Sequence, residues 1–107
     1  MAWGVDDPKL RPFESHVPVP IGDDAALVAA RVPLSKQEVD IFYKRFSKEA
    51  FWPMLHGFWE RARFREDDWQ VFLKVNRKFA ETTATEAAHA ATVWIHDYNL
   101  WMVPAYL

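Results

Sequence analysis

The clearest periodic signal lies at residues 39–46, where Val39, Phe42, Tyr43 and Phe46 recur at i, i+3, i+4 and i+7, the spacing of one face of an α-helix. Just ahead of it, Ser35 is followed three residues later by Glu38. That is a capping box, so a helix is expected to begin here. Ser47 offers a cap for a second short helix through Phe51, with Pro53 near its end or in the first turn of the next. A longer pattern runs from about residue 67 to about residue 88, with a stripe of Trp69, Phe72, Leu73, Phe79, Ala80, Ala84 and Ala87 interrupted by Asn76. The acidic trio Glu66, Asp67 and Asp68 suits the positive end of that helix.

Two runs lack the helical period. Residues 27–33 are apolar, partly β-branched and end on a proline, as a short strand does. Residues 91–95 are apolar without polar alternation, which predicts a strand buried on both faces. Residues 1–24 carry Pro8, Pro12, Pro18 and Pro20 beside Gly4 and Gly22, and are expected to be mostly loop with at most short extended pieces. Beyond Tyr98 the tail NLWMVPAYL reads as the opening of another helix. Its lack of a cap or polar finish gives the expectation of a chain cut rather than ended.

With 107 residues, one small domain is the ceiling. Half the residues are apolar and 16% aromatic, including six Trp and eight Phe, so the chain is built to bury a core. A net charge of -2, with thirteen basic residues scattered among fifteen acidic ones, leaves no footprint for nucleic acid or anionic lipid. Neither partner is expected. The absence of cysteine removes disulfides, thiol catalysis and Cys-based zinc sites. No segment approaches the ~20 apolar residues of a membrane span, and the start lacks the basic-then-apolar order of a signal peptide. The expectation is a cytoplasmic protein.

In open α/β sheets, ligands bind beyond the carboxyl ends of strands, which turns attention to His96, Asp97, Tyr98 and Asn99. A carboxylate at that point accepts hydrogen bonds from sugar hydroxyls while ring faces pack on C–H surfaces. Asp97 capping the next helix is an equally good reading of the spacing. A second cluster comprises Tyr43, Phe46, Phe51, Trp52, Pro53 and His56. Aromatics at helical spacing are most often core, and for Tyr43 and Phe46 that reading leads on spacing alone. A lone His56 near Met54 and Phe58 suits a structural role. His16, His56, His89 and His96 show no metal-ligand spacing, so no metal is expected. Asn76 is expected to be buried and to hold backbone groups of a loop. Arg61, Arg63 and Arg65 read as a solvated face, though one of them could meet a phosphate.

Three stretches, in this order and spacing, resemble glycosyltransferase family 20, the trehalose-6-phosphate and glucosylglycerol-phosphate synthases. They are FYKRFSKEAFWPMLHGF at residues 42–58, DDWQVFLKVNRKFAE at 67–81, and VWIHDYNLWMVP at 93–104. Trp3 and Gly4 resemble the end of the family's early tryptophan-glycine segment, so the likeness covers nearly the whole chain. The resemblance implies an α/β fold, here a fragment of the N-terminal Rossmann-like lobe of a two-lobed GT-B enzyme. Residues 1–107 would form part of the acceptor-side lobe. It implies transfer of glucose from a nucleotide sugar to a phosphorylated acceptor with retention, without a cofactor and without a metal at the reaction centre. By residue matching, Tyr43 and Trp52 correspond to the aromatic pair on the acceptor phosphate, Asp97 to the aspartate on acceptor hydroxyls, and Trp3 to an acceptor-side tryptophan.

Where trehalose-type members read HDYHL, this chain has HDYNLW, which together with SKEAFWP is closer to the glucosylglycerol-phosphate branch. There the acceptor is glycerol 3-phosphate and the donor ADP-glucose; the trehalose alternative would use glucose 6-phosphate as acceptor, and across the two readings the donor is ADP-glucose or UDP-glucose. The glycine-rich donor loop and the C-terminal lobe have no counterpart here, so no residue is assigned to the donor, and the isolated chain is expected to be inactive. A reading of another class is a non-catalytic module binding a sugar phosphate or a protein. Uncovered sheet edges would favour a homo-oligomer.

Overall fold

A computed structural model describes residues 1–9 and 11–107. Three strands, β1 (Ala2–Val5), β2 (His16–Pro20) and β3 (Ala26–Leu34), form a sheet in the order β1-β3-β2. β1 runs parallel to β3, with Ala2 opposite Arg31 and Val5 opposite Leu34. β2 runs antiparallel to β3, with His16 opposite Ala30 and Pro20 opposite Ala26. The strand expected at residues 27–33 is therefore present, and the short extended pieces of residues 1–24 are its two neighbours.

Two prolines in β2 are tolerated because of the direction in which its backbone faces. The Arg31 N–H donates to the Ser15 carbonyl and the Ile21 N–H to the Ala25 carbonyl, so odd-numbered residues face β3. Pro18 and Pro20 then put their missing N–H groups on the open edge, where no ladder bond is lost.

The capping box forms as the sequence predicts: Ser35 Oγ accepts from the Glu38 N–H at 3.1 Å, and the Ser35 N–H donates to Glu38 Oε2 at 2.9 Å. From there one continuous helical rod runs over residues 36–55. It begins as α1 (Lys36–Val39), continues as a π-helical segment (Asp40–Phe51) and ends as α2 (Trp52–Leu55). The break anticipated at Ser47 does not occur. Ser47 is buried inside the rod, with Oγ donating to the Phe42 carbonyl at 2.7 Å, and Pro53 sits in the first turn of α2. A 3-10 turn (Trp59–Arg61) leads to α3 (Glu66–Glu86), and a second one (Tyr98–Leu100) leads to α4 (Val103–Tyr106).

The core lies where the rod, α3 and the end of β3 meet. Val32 and Leu34 of β3, Phe42, Phe46 and Phe51 of the π-helical segment, and Phe72, Val75 and Phe79 of α3 are buried together. Phe46 stands at the centre, its ring centroid 5.0 Å from both Phe51 and Phe72. The stripe of α3 includes Val75, which the sequence pattern omitted, while Ala84 and Ala87 are exposed because the last turns of the helix run past the packed face. Asp68 is buried in the first turn of α3 and paired with Arg45. Glu38 takes Lys78 on Oε2 at 2.9 Å and has Lys74 at 3.0 Å from Oε1.

The expected buried strand at residues 91–95 is not there. The segment has no regular structure and no strand partner, Trp94 is 82% exposed, and only Ile95 packs partly on the core. A strand of this composition needs neighbours to take its backbone groups and cover its faces. Here a cavity of about 490 Å³ separates it from Met1 and the end of α3.

Candidate functional site

The π-helical winding determines which side chains share a face. In an α-helix, positions nine apart lie about two and a half turns apart and face opposite ways. With i→i+5 bonding the alignment shifts to residues four and five apart. Phe42 then lines up with Phe46, Ser47 and Phe51, and these four are buried together with Ala50. Tyr43 lines up with Ser47 and Lys48 and, one turn further, with Trp52. This pulls Tyr43 out of the core stripe that an α-helical period gives it and leaves it 40% exposed.

Tyr43, Ser47, Lys48 and Trp52 form one wall of a cleft of about 380 Å³ whose other wall is Asp97, Tyr98 and Asn99. Three of the four residues singled out for an acceptor, Tyr43, Trp52 and Asp97, thus converge. Trp3 stands beside them. It lines an adjoining cavity of about 320 Å³ with Tyr43 and Asn99, and its ring centroid is 5.9 Å from that of Tyr43. His56 lies outside the cleft, exposed, with its ring 4.1 Å from that of Trp52.

Asn76 fixes the Asp97 wall. Completely buried on α3, its Nδ2 donates to the carbonyls of Phe72 at 3.0 Å and Asn99 at 3.1 Å, while its Oδ1 accepts from the Met102 N–H at 3.2 Å. This is the loop-holding role its position in the stripe predicts. Ser47 ties the two walls together, being hydrogen-bonded both to the Phe42 carbonyl and to the side-chain amide of Asn99. Both partners are oxygen acceptors, so the single hydroxyl proton serves one of them at a time.

Asp97 itself is strained. Its φ of 68° and ψ of 162° are a conformation that only glycine adopts freely, and its carboxylate accepts from the following Tyr98 N–H at 2.7 Å. It is exposed and caps a 3-10 turn, so the capping reading holds alongside any binding role. It does not stand at the end of a strand, because no strand precedes it. Burial, and then the negative charge of Asp97, raise the Tyr98 phenol above its ordinary pKa, which keeps its O–H as a donor in the cleft.

Sequence reasoning singled out Tyr98 and Asn99 beside Asp97 but missed Ser47 and Lys48 as members of the cleft. Spacings of four and five among Tyr43, Ser47, Lys48 and Trp52 carried the signal, but only for a helix wound this way. Among the described residues no group of three or more His, Cys, Asp or Glu is placed to hold a metal ion, and no helix is long and apolar enough to cross a membrane.

The family model described as Glycosyltransferase family 20 matches residues 8–107. The chain belongs to that family. A glucosylglycerol-phosphate synthase of Pseudomonas anguilliseptica is 68% identical over 108 residues, covering 100% of this chain and 14% of that protein. The Synechocystis glucosylglycerol-phosphate synthase is 39% identical over 109 residues, covering 100% of the chain and 21% of its own length. Among solved structures, the trehalose 6-phosphate synthase of Burkholderia multivorans superposes with a TM-score of 0.72 at 26% identity, over 90% of this chain and 20% of that one. An E. coli protein of the trehalose-6-phosphate group, bound with UDP-2-fluoro glucose, gives 0.76 at 26% identity over 97% of this chain and 22% of its own. The chain is thus a mixed α/β unit of the GT-B type that spans about a fifth or less of the relatives it matches.

Proposed function

We propose that residues 1–107 supply the acceptor-binding part of the N-terminal lobe of a retaining glucosyltransferase, which moves glucose from a nucleotide sugar to a phosphorylated acceptor. One observation carries the reading. Tyr43 and Trp52, on a helical rod, and Asp97, on a loop far along the sequence, line the same cleft. In this reading Tyr43 and Trp52 bind the acceptor phosphate through the phenol O–H and indole N–H, Asp97 accepts hydrogen bonds from acceptor hydroxyls, and Trp3 supports Tyr43 from behind.

Glycerol 3-phosphate is the acceptor this reading prefers, with ADP-glucose as donor. Support comes from the 68% identity to a glucosylglycerol-phosphate synthase over the whole chain and from Asn99 following the HDY triplet. The donor is held elsewhere, because no residue of this chain is assigned to it. Transfer depends on holding both substrates in one geometry, so this chain alone should transfer no glucose.

The test is a titration of the chain with glycerol 3-phosphate and with glucose 6-phosphate, followed through the Tyr43 and Trp52 ring signals. Glycerol 3-phosphate should bind more tightly. Asp97→Asn should weaken it by about tenfold, since a charge-assisted hydrogen bond becomes a neutral one. Equal binding by Asp97→Asn and the parent sequence would remove Asp97 from the site.

A further inference from the structure

The phosphate of an acceptor needs a positive charge as well as neutral donors, and neither Tyr43 nor Trp52 carries one. Of the basic side chains in the π-helical segment, Lys44 is paired with Asp40 at 2.6 Å and Arg45 with Asp68. Lys48 is different. Among the described residues it has no carboxylate within ion-pairing distance, and its ammonium stands 5.2 Å from the centroid of the Tyr43 ring, at the lip of the cleft. Among the described residues it is also the only basic one lining that cleft.

This placement follows from the winding. Residues five apart in an α-helix point about 140° away from one another. The i→i+5 bonding of this segment brings Lys48 round beside Tyr43, and the ring face holds the ammonium by a cation–π contact. Such a contact occupies one side of the ammonium. Its N–H donors toward the cleft remain free for a ligand.

We infer that Lys48 is the anion-holding residue of the cleft, so that a cation at Lys48 on the Tyr43–Trp52 wall and an anion at Asp97 on the opposite wall line the same space. The inference deepens the acceptor reading and rests on it. A ligand matching this polarity has a phosphate at one end and hydroxyls at the other, which is a small polyol monophosphate lying between Lys48 and Asp97. Free phosphate offers only the first half of that chemistry, and an uncharged polyol only the second.

The experiment measures binding of glycerol 3-phosphate, inorganic phosphate and glycerol to the full 107-residue chain and to Lys48→Gln, Lys48→Arg and Asp97→Asn, with fold monitored by the dispersion of amide signals. Lys48 is exposed, so its replacement should leave the fold and the melting temperature essentially unchanged. Lys48→Gln should weaken both glycerol 3-phosphate and inorganic phosphate by about five- to tenfold, and Lys48→Arg should stay within about threefold of the parent because the charge is kept. Asp97→Asn should weaken glycerol 3-phosphate and leave inorganic phosphate unchanged. Raising the ionic strength should weaken the parent and affect Lys48→Gln much less. If Lys48→Gln binds glycerol 3-phosphate like the parent while Asp97→Asn does not, the role of Lys48 is overturned and the acceptor site stands. If the folded parent binds neither phosphate ligand, both fall together.

Discussion

The two walls of the cleft are held in different ways. The Tyr43–Trp52 wall belongs to a helical rod anchored by Phe42, Phe46 and Phe51 in the aromatic core, so its geometry is set by packing over a large apolar area. The wall of Asp97, Tyr98 and Asn99 is exposed or half-buried, lacks regular flanking structure on its N-terminal side, and is tied down by two hydrogen bonds to one buried amide, Asn76, through the Asn99 carbonyl and the Met102 N–H. Packing resists small displacements in every direction, whereas a few hydrogen bonds fix a loop only as long as each is satisfied. A site built this way has one rigid side and one adjustable side.

The largest effect should come from emptying the packed side. Phe72 is fully buried against Phe42, Phe46 and Phe51, and Phe72→Ala should cost about 3–5 kcal/mol, read as a loss of melting temperature. Both walls should go together, since Asn76 sits on the same helix.

Next comes acid. Burial pushes the Glu38 carboxyl up, but hydrogen bonds from Lys78, the Ser35 N–H and Lys74 outweigh it and leave the pKa at about 2 against an ordinary 4.5. A depressed folded pKa means that the contribution, on the order of 3 kcal/mol, is complete above pH 4.5 and is lost as the pH falls from 4.5 toward 2. Glu38→Gln should flatten the stability profile in that window. The effect belongs to the packed side, because Glu38 begins the rod.

Asn76→Ala tests the adjustable side. It leaves the Met102 N–H and the Asn99 carbonyl without their partner, at a cost of about 1–3 kcal/mol. Amide exchange should quicken through residues 97–102 and stay slow in the rod. Equal acceleration in both would erase the distinction between the walls. The smallest effect is expected from Asp97→Gly. It removes the positive-φ strain and should stabilise the chain by up to about 1 kcal/mol while abolishing the carboxylate's share of acceptor binding. A loss of stability there would mean that the Asp97 contact with the Tyr98 N–H outweighs the strain.

The packed side was largely legible in the sequence. Ser35 with Glu38, the stripe of α3 and the β-branched run ahead of Pro33 announce their elements through local rules that the fold obeys. The winding of the rod was not legible, because an α-helical and a π-helical period both place Phe42 and Phe46 inside and differ in what they do with Tyr43, Ser47, Lys48, Phe51 and Trp52. The run at residues 91–95 has the composition of a buried strand, but pairing is a property of neighbours, and composition does not record whether any are present. Asp97 was found by resemblance and by its position after that run. Its strained backbone and its place opposite Trp52 are facts of three dimensions.

The arrangement of β2 has a consequence for assembly. Two of its three outward-facing residues, Pro18 and Pro20, have no hydrogen to offer, so this margin is chemically terminated against any incoming strand. The opposite margin, at β1, carries no such block. Strand pairing is therefore disfavoured along β2 and unobstructed along β1, the edge that lies near the unpaired run 91–95.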